Sequence, residues 1–408
     1  MYDILEGLRV VEGSSFVAGP VCGQHFLELG AEVIRFDDIS GGLDSKRWPI
    51  DATGTSLFWE GLNKGKKSIA LDLASPQGRE LSIALITAPG KNAGLFTTNF
   101  PVDGFLSYEN LVQHRSDLVV ARIMGWADGR NAVDYTINAA TGLPLMTGPA
   151  EMPANHPVNH VLPAWDLITG TYAAFSLVAA ERRRRKTGIG GEIRVPLADI
   201  AATTMGHLGW IAEATLGAER PRDGNDLYGA FGRDFETVDG KRMIIVAITK
   251  RQWTSLVSAF NISADVAKIE EELGISFDHE GQRYLHRDRL FSLVQDKIGR
   301  MSYAKAVDFM DETGLCWETY RSLHDAITME TGLVACNPVF SQQSHPSGHR
   351  YPTSGAPGSF SGLTRGTPPP APRLGEHTEL ILADTLGLSS GEIARLHDRG
   401  IVASATPQ

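Results

Sequence analysis

Asp166 stands in the string NHVLPAWDLITG, between an extended, proline-containing segment and the start of an apolar helical pattern. A carboxylate at that point has two compatible roles. As an N-cap it accepts from the free amides of the first helical turn, a role worth about 1 kcal/mol. As a reactive group it is held ionised by the helix dipole, while neighbouring free N–H groups stabilise negative charge developing during acyl transfer. In GLNKGKKSIALDL, Lys64, Lys66 and Lys67 lie in a glycine-interrupted loop before a strand, where flexible ammonium groups either reach a phosphate or stay solvated. The basic run over residues 182–186 would also attract phosphate. It closes a helix just before Gly188, however, where cations offset the negative end of the dipole.

Other chemistries find little support. The segment EGSSFVAGP, between the first strand and first helix, lacks GxGxxG. It therefore offers no close backbone approach to a pyrophosphate, even though Asp37 and Asp38 end the second strand where a ribose-binding carboxylate could sit. Cys22, Cys316 and Cys336 are scattered, with no CxxC pair and no histidine spacing suited to zinc, so we expect reduced thiols and no metal site. A formal charge of −10 over 408 residues repels a phosphate backbone, and no basic face interleaved with aromatics is visible, which argues against nucleic acid as a partner. The opening MYDILEGLRVV has acids where a signal peptide has a basic region, and nowhere do about 18 apolar residues run together, so a cytoplasmic protein without a membrane span is expected.

The elements that must position these residues alternate. GLRVVEG and AEVIRFDD are short β-branched runs flanking the helical pattern PVCGQHFLELG, a β-α-β unit of about 30 residues. KSIALDL, NAGLFTTNF and LVVARIMGW predict further strands, separated by helices in SPQGRELSIALIT and LSYENLVQHRSD. Such alternation predicts an α/β fold with a mostly parallel sheet covered by helices. DLITGTYAAFSLVAAERRRRKTG is the clearest helix; its alanines call for tight packing. The cluster ERPRDGNDLYGAFG marks a break, after which FETVDGKRMIIVAI reads as a hairpin around Asp239-Gly240. We therefore expect a large domain over 1–220, a smaller α+β domain over 228–333, and a segment over 337–408 that begins as an extended Pro/Gly/Ser-rich connector and returns to the large domain. Ser389 and Glu392 have capping-box spacing before the last helix.

These residues together resemble the class III CoA-transferases, the group that includes formyl-CoA and carnitine CoA-transferases and α-methylacyl-CoA racemase. The resemblance spans essentially the whole chain, through LEGLRVVEGSSFVAGP, LGAEVIRFD, NKGKKSIALDL, TNF, the Asp166 segment, ERRRRKTGIGGEIRVPLAD and the C-terminal APRLGEHTELILADTLGLSSGEIARLHDRGIV. It implies a Rossmann-like large domain built from both chain ends and an interlocked, ring-like homodimer. It implies Asp166 as the nucleophile, and CoA as part of the substrate rather than a permanently bound cofactor. CoA-contacting positions then fall on Phe16, Val17, Ala18, Leu71, Asn99 and Phe100. Positions that are basic near the adenine in relatives are Asp38 and Ala74 here, so Arg47, Lys64 or the neighbouring lysines are expected at the phosphates.

Within the family the strings GGLDSKRWP, LFWEGLNKGKKSIA, VDYTINAATGLPLMTGP and LYGAFGRDFETVDGKR resemble a subgroup that moves CoA between the two carboxyl groups of one unsaturated dicarboxylic acid. The implied partner is an acyl-CoA thioester of such an acid. The free dicarboxylate released midway needs cations or polar donors, for which Arg47, Tyr135 and His160 are the candidates. Three rivals remain. Transfer between two different molecules would use the same aspartate. Racemisation is disfavoured because Val133 occupies the position of the racemases' histidine in VDYTINAATG. A non-catalytic CoA-binding protein would have no use for the retained aspartate.

Overall fold

The computed structural model describes residues 1–330 and 332–405, which divide into two compact units. The first comprises 1–141, 161–213 and 336–408, the last three residues lying outside the described range. Its centre is a sheet of β1 (Arg9–Gly13), β2 (Glu32–Asp38), β3 (Lys67–Leu71), β4 (Leu95–Thr98), β5 (Val119–Met124) and β6 (Gly191–Pro196), in the spatial order β3-β2-β1-β4-β5-β6 with every pair parallel. The expected α/β class with a large parallel sheet is therefore what the chain adopts. Parallel strands are covered on both faces, which explains why β4 is wholly buried and β5 nearly so. The covering helices include α1 (Ala18–Glu28), α2 (Leu57–Leu62), α3 (Pro76–Ile86) and α4 (Tyr108–His114).

Between β1 and β4 the winding reverses direction. In an open α/β sheet the crevice beyond the strand C-termini at that reversal is where ligands bind. Val402–Ala403, near the C-terminus, pairs antiparallel with β3, and Ile381, Leu382, Ile393 and Leu396 join Val11, Ile34, Phe36, Phe96 and Val120 in one apolar core. Both chain ends thus serve this sheet. The final helix begins in the capping box formed by Ser389 and Glu392.

After α5 (Asp134–Ala140) and α6 (Leu143–Met146) comes the long helix α7 (Ala164–Thr187). Its buried side presents Thr169, Gly170, Ala173, Ala174 and Leu177, and small residues let it lie close to α1. A Cβ placed on Gly170 would stand 2.5 Å from the Ala18 carbonyl oxygen and 2.8 Å from Val21 Cβ. The basic end of α7 is structural: Arg184 donates to the Ala93 and Gly94 carbonyls at 2.7 and 3.1 Å, and Arg185 pairs with Glu181.

The second unit comprises 142–160 and 214–335. Its sheet is β7 (Phe231–Glu236), β8 (Arg242–Ala247) and β9 (Cys316–Thr319), antiparallel throughout, over a core that includes Phe231, Phe235, Met243, Trp253, Leu256 and Phe291. Two features depart from the sequence reading. Residues 142–160, expected in the large domain, cluster with this unit. The reason is Arg222, whose guanidinium donates to the Thr147 and His156 carbonyls and lies 3.4 Å from Met152 Sδ. The stretch after 337 is not simply extended: β10 (Phe340–Ser344) and β11 (Arg350–Ser354) form an antiparallel hairpin in the first unit. Its polar residues hide an alternation that tertiary contacts complete. Tyr351 donates to Glu60 at 2.6 Å, and His345 stacks on Tyr351 with ring centroids 3.9 Å apart.

Candidate active site

The crevice at the sheet reversal is built first from backbone. β1 ends at Gly13 and β4 at Thr98, and the two following loops clasp each other. Asn99 accepts the Ser15 N–H at 3.1 Å and donates to the Ser15 carbonyl at 2.9 Å. Thr98 Oγ1 donates to the Gly13 carbonyl at 2.7 Å and accepts from the Phe100 N–H at 3.0 Å. Phe16, Val17, Ala18, Asn99 and Phe100 therefore meet at one edge of the sheet. Phe16 has φ +70°, Val17 occupies the N-cap position of α1 without a capping side chain, and Ala18 opens that helix. Leu71 differs: its side chain is fully buried in the core and its backbone is laddered to Asp38 and Val402. The Asp38 carboxylate is occupied locally by the Ser40 N–H and hydroxyl, at 2.9 and 2.6 Å.

Under this edge lies a buried ionic network. Arg35 donates to both Asp37 oxygens at 2.9 Å, to Asp44 at 2.8 Å and to Asn63 at 3.1 Å, with its guanidinium 4.5 Å from the Trp59 ring centroid. Lys66 donates to both Glu12 oxygens, at 3.1 and 2.9 Å, and to the Pro20 carbonyl. Burial raises the Glu12 pKa against the pull of Lys66 and Arg35, and lowers that of Lys66. The loop expected to bind phosphates is thus structural. Lys66 is committed to Glu12, Lys67 lies 2.5 Å from Glu32, and the buried Lys64 ammonium donates to the Ser354 carbonyl and hydroxyl at 3.0 and 2.8 Å. Phosphate recognition by Lys64 would require breaking those bonds.

Asp166 is partly exposed and is the third residue of α7, because the N-cap is Pro163, three residues before the position the sequence suggests. It is therefore not the cap. Asp134, on the first residue of α5 and almost wholly buried, does that work instead: its Oδ2 accepts from the Trp165 N–H at 2.7 Å and the Asp166 N–H at 3.1 Å. The Trp165 indole N–H, 3.2 Å from Asn138 Oδ1, ties the same two helices together. The consequence is electrostatic. Burial, then the Asp134 charge, push the Asp166 carboxyl up to about 7, and Arg47 opposes them. Desolvation and a like charge outweigh the helix dipole. The amides of Trp165 and Asp166, occupied by Asp134, are also not available as the oxyanion donors expected from sequence.

Arg47 is exposed on the loop before α2, its guanidinium 5.4 Å from the ring centroids of both Phe16 and Phe58. Ser56 Oγ donates to the Arg47 carbonyl at 2.6 Å, which fixes the loop against the start of α2. Tyr135 follows Asp134 on α5 and is exposed. His160 clusters with the second unit, and both its ring nitrogens are buried without a hydrogen-bond partner. The cysteines offer no competing nucleophile at this edge: burial pushes the Cys22 thiol up to about 12.

Sequence reasoning missed Asp134 and Asp44. Asp134 reads only as an acid in the first turn of a short helix, and no spacing rule links it to Trp165 across 31 residues. Asp44 lies in a glycine-rich loop, where an aspartate ordinarily signals a turn.

Comparison with known proteins places the chain in a family. Residues 5–378 match the model of CoA-transferase family III. The chain is 48 % identical over 405 residues to the 2-methylfumaryl-CoA isomerase of Chloroflexus aurantiacus, covering 99 % of this chain and 98 % of the relative. It is 24 % identical to the succinyl-CoA:glutarate CoA-transferase of Mus musculus, covering 98 % and 90 % respectively. Among solved structures, a CAIB/BAIF family protein from Brucella suis superposes with a TM-score of 0.73 at 25 % identity, over 93 % of this chain and 99 % of that one.

Proposed function

The chain belongs to CoA-transferase family III, and we propose from that membership that it is an intramolecular CoA-transferase converting 2-methylfumaryl-CoA into 3-methylfumaryl-CoA, with Asp166 as nucleophile. The observation that carries this reading is the near-full-length likeness to an isomerase at twice the identity of the intermolecular transferase, joined to a partly exposed carboxylate held near neutrality beside Asp134. Ionised Asp166 attacks the thioester carbonyl, forming a mixed anhydride and releasing CoA thiolate. The thiolate attacks the aspartyl carbonyl, leaving an aspartyl-CoA thioester and free 2-methylfumarate. The acid's other carboxylate then attacks that thioester, again expelling thiolate, and the thiolate returns to the substrate carbonyl of the second anhydride. Product leaves and the Asp166 carboxylate is regenerated.

Acylation removes the charge from Asp166, so the repulsion from Asp134 and the burial cost that destabilise the free carboxylate are both relieved as the anhydride forms. Arg47 is the cation suited to the developing oxyanion or to the free carboxylate of the released acid, with Tyr135 as a further polar candidate. Phe16, Val17, Ala18, Asn99 and Phe100 would line the CoA path at the sheet reversal. CoA enters and leaves as part of the substrate, and no resident cofactor is invoked.

A cytoplasmic homodimer of interlocked rings is part of the same proposal. Ile168, Tyr172, Phe175 and Val178 form an exposed apolar stripe on α7 that a second copy would cover. Among the described residues no helix is long and apolar enough to cross a membrane. Incubation with 2-methylfumaryl-CoA alone tests the reaction: formation of the C-4 thioester without added acid supports it, and a strict need for a second acid contradicts it.

A further inference from the structure

Phe16 is held in a backbone conformation that side chains rarely adopt. Its φ is +70°, and among described non-glycine residues only Asn261 also has a positive φ. Such a conformation persists when its surroundings impose it. Here the imposition comes from two sides. Asn99 clasps Ser15 through two hydrogen bonds, and the Phe16 N–H donates to Asp44 Oδ2 at 3.1 Å. The other Asp44 oxygen is gripped by Arg35 at 2.8 Å, and Asp44 is 1 % exposed. Three residues on, the Arg47 N–H donates to the Asp44 carbonyl at 3.2 Å, and the Arg47 guanidinium lies over the Phe16 ring. The Asp44 carboxylate therefore governs the ring beneath Arg47, while the backbone carbonyl of the same residue holds the Arg47 amide.

We propose that Asp44 is a positioning residue for the acyl-transfer site: anchored by Arg35, it locks the left-handed Phe16 and thereby sets the place of the Arg47 guanidinium. This rests on the reading of Asp166 as nucleophile. The charged groups acting on Asp166 are Asp134 from α5 and Arg47, so a displaced Arg47 leaves the Asp134 repulsion less opposed. A merely structural Asp44 would lower the amount of folded protein without changing the protonation of Asp166.

The test compares wild type, Asp44→Ala and Phe16→Gly. Glycine accepts the positive φ and keeps the amide for Asp44, but removes the ring beneath Arg47. Formation of the aspartyl-CoA adduct is followed by intact mass, and kcat/KM by pH profile. We expect both variants to lose about tenfold or more in adduct formation, mainly through kcat, and to shift the acid limb of the profile to higher pH. Should Asp44→Ala fail to fold, Phe16→Gly decides. A folded Asp44→Ala or Phe16→Gly protein with the wild-type rate and wild-type profile overturns the proposal. Failure of the underlying reading looks different, because wild type would then form no adduct on Asp166.

Discussion

Asp134 Oδ2 accepts the backbone N–H groups of both Trp165 and Asp166, so one buried carboxylate caps the helix on which the other is mounted. The arrangement fixes the position of Asp166 while making its charge costly. A cap of this kind ordinarily contributes about 1 kcal/mol to a helix. Here it also places a like charge beside the group we propose as nucleophile, in surroundings that water only partly reaches.

The first consequence is a pH profile. With the Asp166 carboxyl near 7, the nucleophilic form is scarce at pH 5 and dominant at pH 8, so kcat/KM is expected to rise through neutrality. Asp134→Asn removes the like charge while keeping an acceptor oxygen for the two amides. Its acid limb is expected to move down by about half a unit or more. An unmoved limb in a folded Asp134→Asn enzyme contradicts the electrostatic coupling.

The same shift predicts a stability effect with a definite sign. A folded-state pKa above the ordinary carboxylate value means that, between about pH 4 and 7, the folded protein holds a proton that the unfolded chain has released. Stability is therefore lost as pH rises across that window, and the loss is complete above it. Asp166→Asn removes the liability. After allowance for partial exposure we expect the variant to be more stable by about 2 kcal/mol at pH 8 and nearly unchanged at pH 4, measured by urea denaturation. Equal gains at both pH values would count against it.

Helix contact offers a third test. A methyl group on Gly170 meets the Ala18 carbonyl oxygen at 2.5 Å, so Gly170→Ala must push α7 away from α1. The expected cost is about 1–3 kcal/mol, with a fall in kcat because Asp166 lies one turn away on the same helix. Wild-type melting and activity together would show that the helices tolerate the added volume.

The Glu12–Lys66 pair supplies a fourth. Lys66→Met leaves the fully buried Glu12 without its main partner, a loss expected to be about 3–5 kcal/mol. The double variant Glu12→Gln/Lys66→Met should recover a large part of it in a denaturation cycle. Simple addition of the two single losses would mean that the residues act independently.

Much of this was legible in the chain because it is local. The β-branched runs around PVCGQHFLELG specify β1, α1 and β2, and the Ser389–Glu392 spacing specifies a capping box. The residues at Phe16–Ala18 and Asn99–Phe100 follow strands, so a parallel sheet brings them to one edge. What sequence did not disclose depends on long-range partners. Lys64 reads as a free cation until Ser354, 290 residues away, is placed against it. Asp166 reads as a cap until Asp134 takes that role. The β10–β11 hairpin reads as a loop because its polar composition conceals contacts such as Tyr351 with Glu60, 291 positions apart.

Transfer of CoA within one molecule is tested most directly by an isotope experiment. The enzyme is given 2-methylfumaryl-CoA labelled with carbon-13 in its acyl group, together with excess unlabelled 2-methylfumarate, and the 3-methylfumaryl-CoA formed is analysed by mass. Full retention of the label is the result predicted here, because the released acid is recaptured before it leaves. Product diluted with unlabelled acyl groups would contradict the account and assign the chain to exchange between molecules.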